Sequence, residues 1–185
     1  MPDGLGSEEA HRLAREKGVS RSLYAVVRGA LVPLLRGSAP ARVVNVASAG
    51  QNPIDFDDVM LERGYGGMKA YTQSKLAQVM FTFELAERLR DDGVTANALH
   101  PATLMDTKMV LETFGRATSN VQEGAEATVR LAVSPELDGV TGRYFDGTHE
   151  ARANRQAHDE EARKRLWALS EELCGRFLEP LARRQ

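Results

Sequence analysis

Three side chains of this sequence have the types and spacing for proton transfer at an oxygen atom. Tyr71 and Lys75 are four residues apart, which places both on one face of a helix. A free tyrosine has a pKa of about 10, and a nearby lysine ammonium favours the phenolate, so such a pair can exchange a proton with a carbonyl or alcohol oxygen. Ser48 follows a β-branched run and could hold the same oxygen. The set suits hydride transfer at a carbonyl carbon, and a cofactor must supply the hydride.

A tyrosine and a lysine at this spacing are common on solvated helix edges, so the surrounding elements decide what the pair means. Short apolar runs predict three strands, at residues 42–47, 94–99 and 142–145. Apolar residues at helical spacing predict four helices, at residues 20–36, 69–90, 121–133 and 151–178. Pro33 indicates a kink or a late turn in the first helix, and a break is expected near Asp159 in the last.

This alternation of helices and strands is typical of an α/β fold with a parallel sheet and helices on its faces. Ligands of such sheets bind at the carboxyl ends of the strands. Ser48, the start of the long helix at Tyr71, and the loop that begins at Pro101 all fall at those ends. The order of the elements therefore predicts one site that contains all three.

Composition bounds the classes of protein to which the chain could belong. Its 185 residues suit a single domain over 1–185, and residues 1–18 predict a loose or atypical N-terminus. A net charge of −2 argues against a nucleic-acid binder, and Cys174, the single cysteine, excludes an intrachain disulfide. No apolar run has the length of a membrane span and no signal-peptide core begins the chain, so a cytoplasmic location is expected.

The residues from 42 to the C-terminus resemble the catalytic half of a short-chain dehydrogenase/reductase. Residues 42–50 read RVVNVASAG, like the family's strand with the active-site serine, and residues 71–75 read YTQSK, like its Tyr-x-x-x-Lys motif. Residues 94–101 read VTANALHP, like the strand that leads to its Pro-Gly loop. The long gap between Ser48 and Tyr71, and the tail with Tyr144, look most like the retinol-dehydrogenase-like branch.

This resemblance implies a Rossmann-like fold with about three recognisable strands and an NAD(P)-dependent oxidoreductase activity on a carbonyl/alcohol pair. It implies that Tyr71 is the acid/base, that Lys75 binds the nicotinamide ribose and tunes Tyr71, and that Ser48 orients the substrate oxygen. Contacts to the nicotinamide would come from Tyr71, Lys75 and the loop residues Pro101, Ala102, Thr103, Leu104 and Thr107. NADP is preferred slightly over NAD, and a homo-oligomer would form through the helices at 20–36 and 69–90.

The sequence departs from the family's pattern at several positions. The family's Pro-Gly is Pro101-Ala102 here, which is tolerable if φ of Ala102 stays negative, and Thr107 lies one residue further along. Ser20 stands at the position that matches the family's active-site Asn. No strand–Gly-x-x-x-Gly-x-Gly–helix unit occurs, so the half that cradles the adenosine and pyrophosphate is missing, and the strand at 42–47 should have an open edge.

The sequence leaves two functions open. The first is the NAD(P)-dependent oxidoreductase. The second is a catalytically inactive remnant that serves as a dimerising scaffold or binding module. Other polar groups have simpler interpretations: His100 is expected to be structural, and the acids Asp55, Asp57 and Asp58 are expected to lie in a solvated loop rather than a cation site.

Overall fold

The strands form one sheet whose parallel members end at the same edge. The computed structural model describes residues 31–182 and the side chains of residues 31–173. The sheet contains, in spatial order, β1 (Ala41–Val46), β2 (Val94–His100), β3 (Tyr144–Asp146) and β4 (His149–Ala151). β1, β2 and β3 are parallel, and β4 is antiparallel to β3. The α/β fold and the three predicted strands are confirmed, and within the described residues β1 is paired on one side only.

Five α-helices flank the sheet in the described residues. They are α1 (Val32–Gly37), α2 (Gly67–Arg88), α3 (Lys108–Phe114), α4 (Val121–Val133) and α5 (Glu160–Ala182). The helices predicted over 69–90 and 121–133 are confirmed to within two residues. Pro33 is the second residue of α1, and Leu31, just before α1, has π-helical geometry. Residues 20–30 of the first predicted helix, Ser20 among them, and the expectation for residues 1–18 lie outside the described residues.

The helix predicted from residue 151 is wrong at its start. A three-residue strand, β4, and a short 3₁₀ helix (Arg155–His158) precede α5. The reason is local capping: the carboxylate of Asp159 accepts a hydrogen bond from the Ala162 N–H at 3.1 Å and so fixes the first turn of α5. The break expected near Asp159 is confirmed.

The two faces of the sheet are covered by different helices. On one face α2 lies between the sheet and α5, and its apolar stripe is buried at Leu76, Val79, Met80, Phe83, Ala86 and Leu89. On the other face Ala127 and Leu131 of α4 pack against Leu99 and Phe145. No side chain of α2 between Lys75 and Ala86 is exposed, so the stripe belongs to the core. The homo-oligomer through residues 20–36 and 69–90 stays a prediction.

Arg42 ties α4 to β1. Its guanidinium donates to the carbonyl oxygens of Ser134 at 2.9 Å and Leu131 at 3.3 Å, and it forms an ion pair with Asp138. These carbonyls lie at and just beyond the C-terminal end of α4, where a cation also favours the helix dipole. The contact fixes the end of α4 that lies furthest from the predicted site.

Truncation of Met80 tests whether the stripe of α2 belongs to the core. Met80 is fully buried, so Met80→Ala should lower the free energy of unfolding by about 2–5 kcal/mol in urea denaturation. Met109→Ala is the matched control, because Met109 is 70 % exposed and its truncation should change that free energy by less than about 0.5 kcal/mol. Equal effects of the two substitutions would contradict this assignment of the core.

Candidate active site

Ser48 lies two residues beyond the end of β1 and is buried. Its Oγ accepts a hydrogen bond from the Gly50 N–H at 3.1 Å, which uses one lone pair and leaves the hydroxyl proton able to donate. Its carbonyl oxygen accepts from the Tyr144 hydroxyl at 3.1 Å and from Nε2 of Gln51 at 2.8 Å. Both the side chain and the backbone of Ser48 are therefore held in place.

Tyr71 and Lys75 are the fifth and ninth residues of α2 and extend from it toward the end of β1. Tyr71 is 45 % exposed, so its phenol is accessible to a ligand. Lys75 is half-buried, and its ammonium donates to the carbonyl oxygen of Val46, the last residue of β1, at 3.2 Å. The same ammonium nitrogen lies 5.8 Å from the centre of the Tyr71 ring. Lys75 thus places a positive charge between the strand end and the phenol.

Gly50 marks the point where Ser48 and Tyr71 approach each other. A Cβ atom built on Gly50 would lie 3.6 Å from Ser48 Oγ, 3.8 Å from Tyr71 Cε1 and 3.4 Å from Thr72 Cγ2. The structure therefore brings together Ser48, Tyr71 and Lys75, which are up to 27 positions apart in sequence.

The loop at residues 101–107 begins at the neighbouring strand end, since β1 pairs with β2 in parallel and the Ala47 N–H donates to the Leu99 carbonyl at 2.7 Å. Among the described non-glycine residues only Leu61 and Leu104 have a positive φ, so φ of Ala102 is negative and its replacement of glycine causes no strain. Leu104 itself has φ of 46°, a conformation that costs energy and is often found at functional loops.

The polar groups of this loop are engaged mainly within it. The Thr103 carbonyl accepts from the hydroxyls of Thr118 at 2.7 Å and Ser119 at 2.6 Å. Thr107 caps α3, its hydroxyl accepting from the Val110 N–H at 3.3 Å. Pro101 and Ala102 are half-buried. The loop therefore makes its own contacts at the neighbouring strand end. The hydrogen bonds of Thr103 and Thr107 run to the end of β2, to α3 and to the segment before α4, rather than to Ser48, Tyr71 or Lys75.

His100 is buried at the end of β2, and its Nε2 lies 2.9 Å from the hydroxyl oxygen of Thr103. Burial lowers the pKa of His100, and the negative charge of Asp146 opposes that shift. A neutral His100 fits a structural role at the base of the loop.

Sequence reasoning missed three residues that support the site: Gln51, Tyr144 and Asn154. Gln51 accepts from the Asn154 N–H at 2.9 Å and, through its own carbonyl, from Asn154 Nδ2 at 3.0 Å. These contacts join residues more than 90 positions apart, which no local spacing reveals. The available signal was Tyr144 itself, because a tyrosine on a buried strand needs a partner for its hydroxyl.

Two tyrosines near Ser48 have opposite environments. Burial, followed by the charge of Asp146, raises the pKa of Tyr144 to about 12, although a hydrogen bond with Gln51 opposes the shift. Tyr144 therefore remains a protonated donor at neutral pH. Tyr71 is the exposed one, which leaves it as the candidate acid or base.

Other candidate sites in the described residues lack the required groups. No cluster of three or more potential metal ligands occurs there, and Asp58 instead accepts from the backbone N–H of Glu62 at 2.8 Å. A cleft of about 190 Å³ lies near the start of β3 rather than at the strand ends, and it is lined partly by the ion pair of Arg143 with Glu150 at 3.3 Å. None of the helices described could reach across a bilayer as an apolar span.

Known proteins are similar to this chain in sequence or in fold. No protein-family model matches the chain. It is 38 % identical to human retinol dehydrogenase 13 over 175 residues, covering 85 % of this chain and 53 % of the relative. It is 36 % identical to the human WW domain-containing oxidoreductase over 162 residues, covering 77 % and 39 %. The structure of carbonyl reductase Sniffer of D. melanogaster is similar in fold, with a TM-score of 0.51 and 18 % identity over 73 % of this chain and 54 % of that one.

The chain spans about half the length of the curated relatives it matches. The aligned part of this chain contains Ser48 at the end of β1, Tyr71 and Lys75 on α2, and the loop at residues 101–107. By its similarity to these relatives, retinol dehydrogenases among them, the chain belongs to the short-chain dehydrogenase/reductase family.

Proposed function

We propose that the chain is the catalytic part of an NAD(P)-dependent oxidoreductase that interconverts an alcohol and a carbonyl compound. The observation that carries the proposal is the approach of Ser48 Oγ and the Tyr71 ring to one point at Gly50, with the Lys75 ammonium 5.8 Å from the ring centre. A hydroxyl donor, a phenol and a fixed positive charge are the groups that proton exchange at a substrate oxygen requires.

Each residue has a distinct role in this proposal. In the direction of reduction, Tyr71 donates its phenolic proton to the substrate oxygen, and in the direction of oxidation it takes that proton back. Lys75 stabilises the negative charge left on the phenol oxygen, because its ammonium is held nearby by the Val46 carbonyl. Ser48 donates a hydrogen bond to the substrate oxygen and fixes its position between the two residues.

The described residues fit the nicotinamide half of a dinucleotide. Lys75 has donors left after its bond to Val46, which suit the hydroxyls of a ribose. The loop at residues 101–104 begins at the neighbouring strand end, and its backbone would contact the carboxamide. When bound, the cofactor supplies or accepts the hydride. The slight preference for NADP over NAD stays a prediction.

Apolar side chains near the site favour an apolar substrate. Met68, which lies one helical turn before Tyr71, is 63 % exposed. Met109 and Phe114 on α3, directly after the loop, are 70 % and 51 % exposed. Because several relatives are named retinol dehydrogenases, we propose a long apolar alcohol or aldehyde of the retinol type as substrate.

The alternative of an inactive scaffold or binding module rests on the sequence's lack of a Gly-rich strand–turn–helix unit. The two functions can be distinguished experimentally, because only the oxidoreductase should bind NADPH or NADH and then transfer a hydride.

Replacement of Tyr71 tests the proposed acid/base. The 185-residue chain is titrated with NADPH and NADH by fluorescence, and oxidation of the bound cofactor by an aldehyde is then followed. Tyr71→Phe should leave cofactor binding within about twofold and lower turnover by about 10²–10⁴-fold, because only the transferable proton is lost. Tyr65→Phe is the matched control and should keep full turnover. Absence of cofactor binding at millimolar concentration would contradict an oxidoreductase activity of the 185-residue chain and favour the scaffold.

Lys75 should matter for both binding and turnover. Lys75→Met should raise the Kd for the nicotinamide cofactor by about tenfold or more, because a charge-assisted hydrogen bond is lost, and should lower turnover as well. Lys69→Met removes a lysine from the first turn of the same helix and should change neither quantity. Equal weakening by both substitutions would show that Lys75 contributes only general positive charge.

The proposed substrate class predicts a dependence of KM on chain length. Phe114→Ser should raise KM for a long apolar aldehyde by about tenfold, the cost of losing one apolar contact, and should leave KM for a short aldehyde unchanged. Leu34→Ser, at an exposed leucine of α1, serves as the control. A wild-type chain that turns over short polar aldehydes as efficiently as long apolar ones would contradict this substrate class.

A further inference from the structure

We infer that Tyr144 is a positioning residue for the proposed reaction and that it acts through the backbone of Ser48. The inference rests on the proposed function, because it assigns Tyr144 a role in placing the Ser48 hydroxyl. Tyr144 lies on β3, 96 residues away from Ser48 in sequence, and its phenol oxygen is 3.1 Å from the Ser48 carbonyl oxygen.

The carbonyl oxygen of Ser48 is fully occupied by two donors. The Tyr144 hydroxyl is one, and Nε2 of Gln51, at 2.8 Å, is the other. A carbonyl oxygen has two lone pairs, so the two hydrogen bonds together fix the plane of the peptide that follows Ser48. Gly50, the next residue but one, then returns its N–H to Ser48 Oγ at 3.1 Å. The orientation of the Ser48 carbonyl is therefore linked to the orientation of its hydroxyl.

Tyr144 is a rigid donor for this contact. Only 4 % of its surface is exposed, and its ring lies in the core with Leu76 and Ala98. Its backbone is paired in register with Ala98 of β2. Because the phenol remains protonated at neutral pH, the hydroxyl donates to the Ser48 carbonyl over the whole range in which a dehydrogenase would work.

Gln51 supplies the second hydrogen bond to the Ser48 carbonyl and links this segment to Asn154. Its side-chain oxygen and its backbone oxygen both accept hydrogen bonds from Asn154, at 2.9 and 3.0 Å. The turn at residues 48–51 is thus held from β3 on one side and from the segment after β4 on the other. Loss of the Tyr144 hydroxyl would leave Gln51 alone on the carbonyl and would allow the plane of the peptide to rotate.

A double-mutant cycle tests whether Tyr144 acts through Ser48. Tyr144→Phe keeps the buried ring and removes only the hydroxyl, so it should lower kcat by about tenfold while the Kd for the cofactor stays within about twofold. In the background of Ser48→Ala, the same substitution should change kcat by less than about twofold, since the hydroxyl to be positioned is absent. Equal losses of kcat in the two backgrounds would overturn the inference.

Thr82→Val is the matched control for loss of a buried hydroxyl. Thr82 is fully buried and its hydroxyl bonds to Asn45 at 2.7 Å, at a position that does not touch Ser48. It should lower the free energy of unfolding without changing kcat. A loss of kcat equal to that of Tyr144→Phe would show that general destabilisation, rather than positioning, is responsible.

A second readout keeps the inference separate from the proposed function. If the unsubstituted chain turns over no alcohol or aldehyde, the proposed function fails, and amide hydrogen exchange at Gly50 then decides the structural part. The Gly50 N–H should exchange about tenfold faster in Tyr144→Phe than in Thr82→Val, because its acceptor is the Ser48 hydroxyl. Equal exchange rates in the two variants would overturn the link between Tyr144 and Ser48.

Discussion

The packing of α2 against the sheet is the interaction on which both the core and the site depend. Lys75 reaches the carbonyl of Val46, and the next residue, Leu76, is fully buried against the same sheet. One helix therefore supplies the largest part of the core as well as Tyr71 and Lys75, the two side chains that could take part in proton transfer. A shift of this helix along the sheet would separate Tyr71 from Ser48 as surely as it would open the core. Lys75 and Leu76 thus join the site to the core through adjacent residues of one helix.

Local pattern was sufficient wherever an element is long or buried on one face. The period of apolar residues located α2 and α4, and β-branched runs located β1 and β2. The local pattern did not predict β4, because three residues are too few to show an alternation. It also placed the start of α5 too early, because that start depends on capping by Asp159. The contacts of Gln51 with Asn154 could not be predicted from the sequence either, since hydrogen bonds between distant loops produce no periodic pattern in it.

The candidate site shows how two identical side chains acquire different properties. Tyr71 lies on a helix end with nearly half its surface exposed, beside a lysine. Tyr144 lies on an inner strand, and the loss of hydration opposes ionisation of its phenol. Residue type and spacing identified the first as a candidate for chemistry. Only the tertiary structure shows that the second sits within hydrogen-bond distance of the same serine.

Arg42 has a consequence for which substitutions the sheet can accept. Its planar guanidinium reaches two carbonyl oxygens and a carboxylate at once. A lysine would keep the charge, but its three donors share one nitrogen atom, whereas the guanidinium spreads its donors over a planar fork. The junction between β1 and α4 is thus restrictive in shape, so a substitution that keeps only the positive charge would not preserve it.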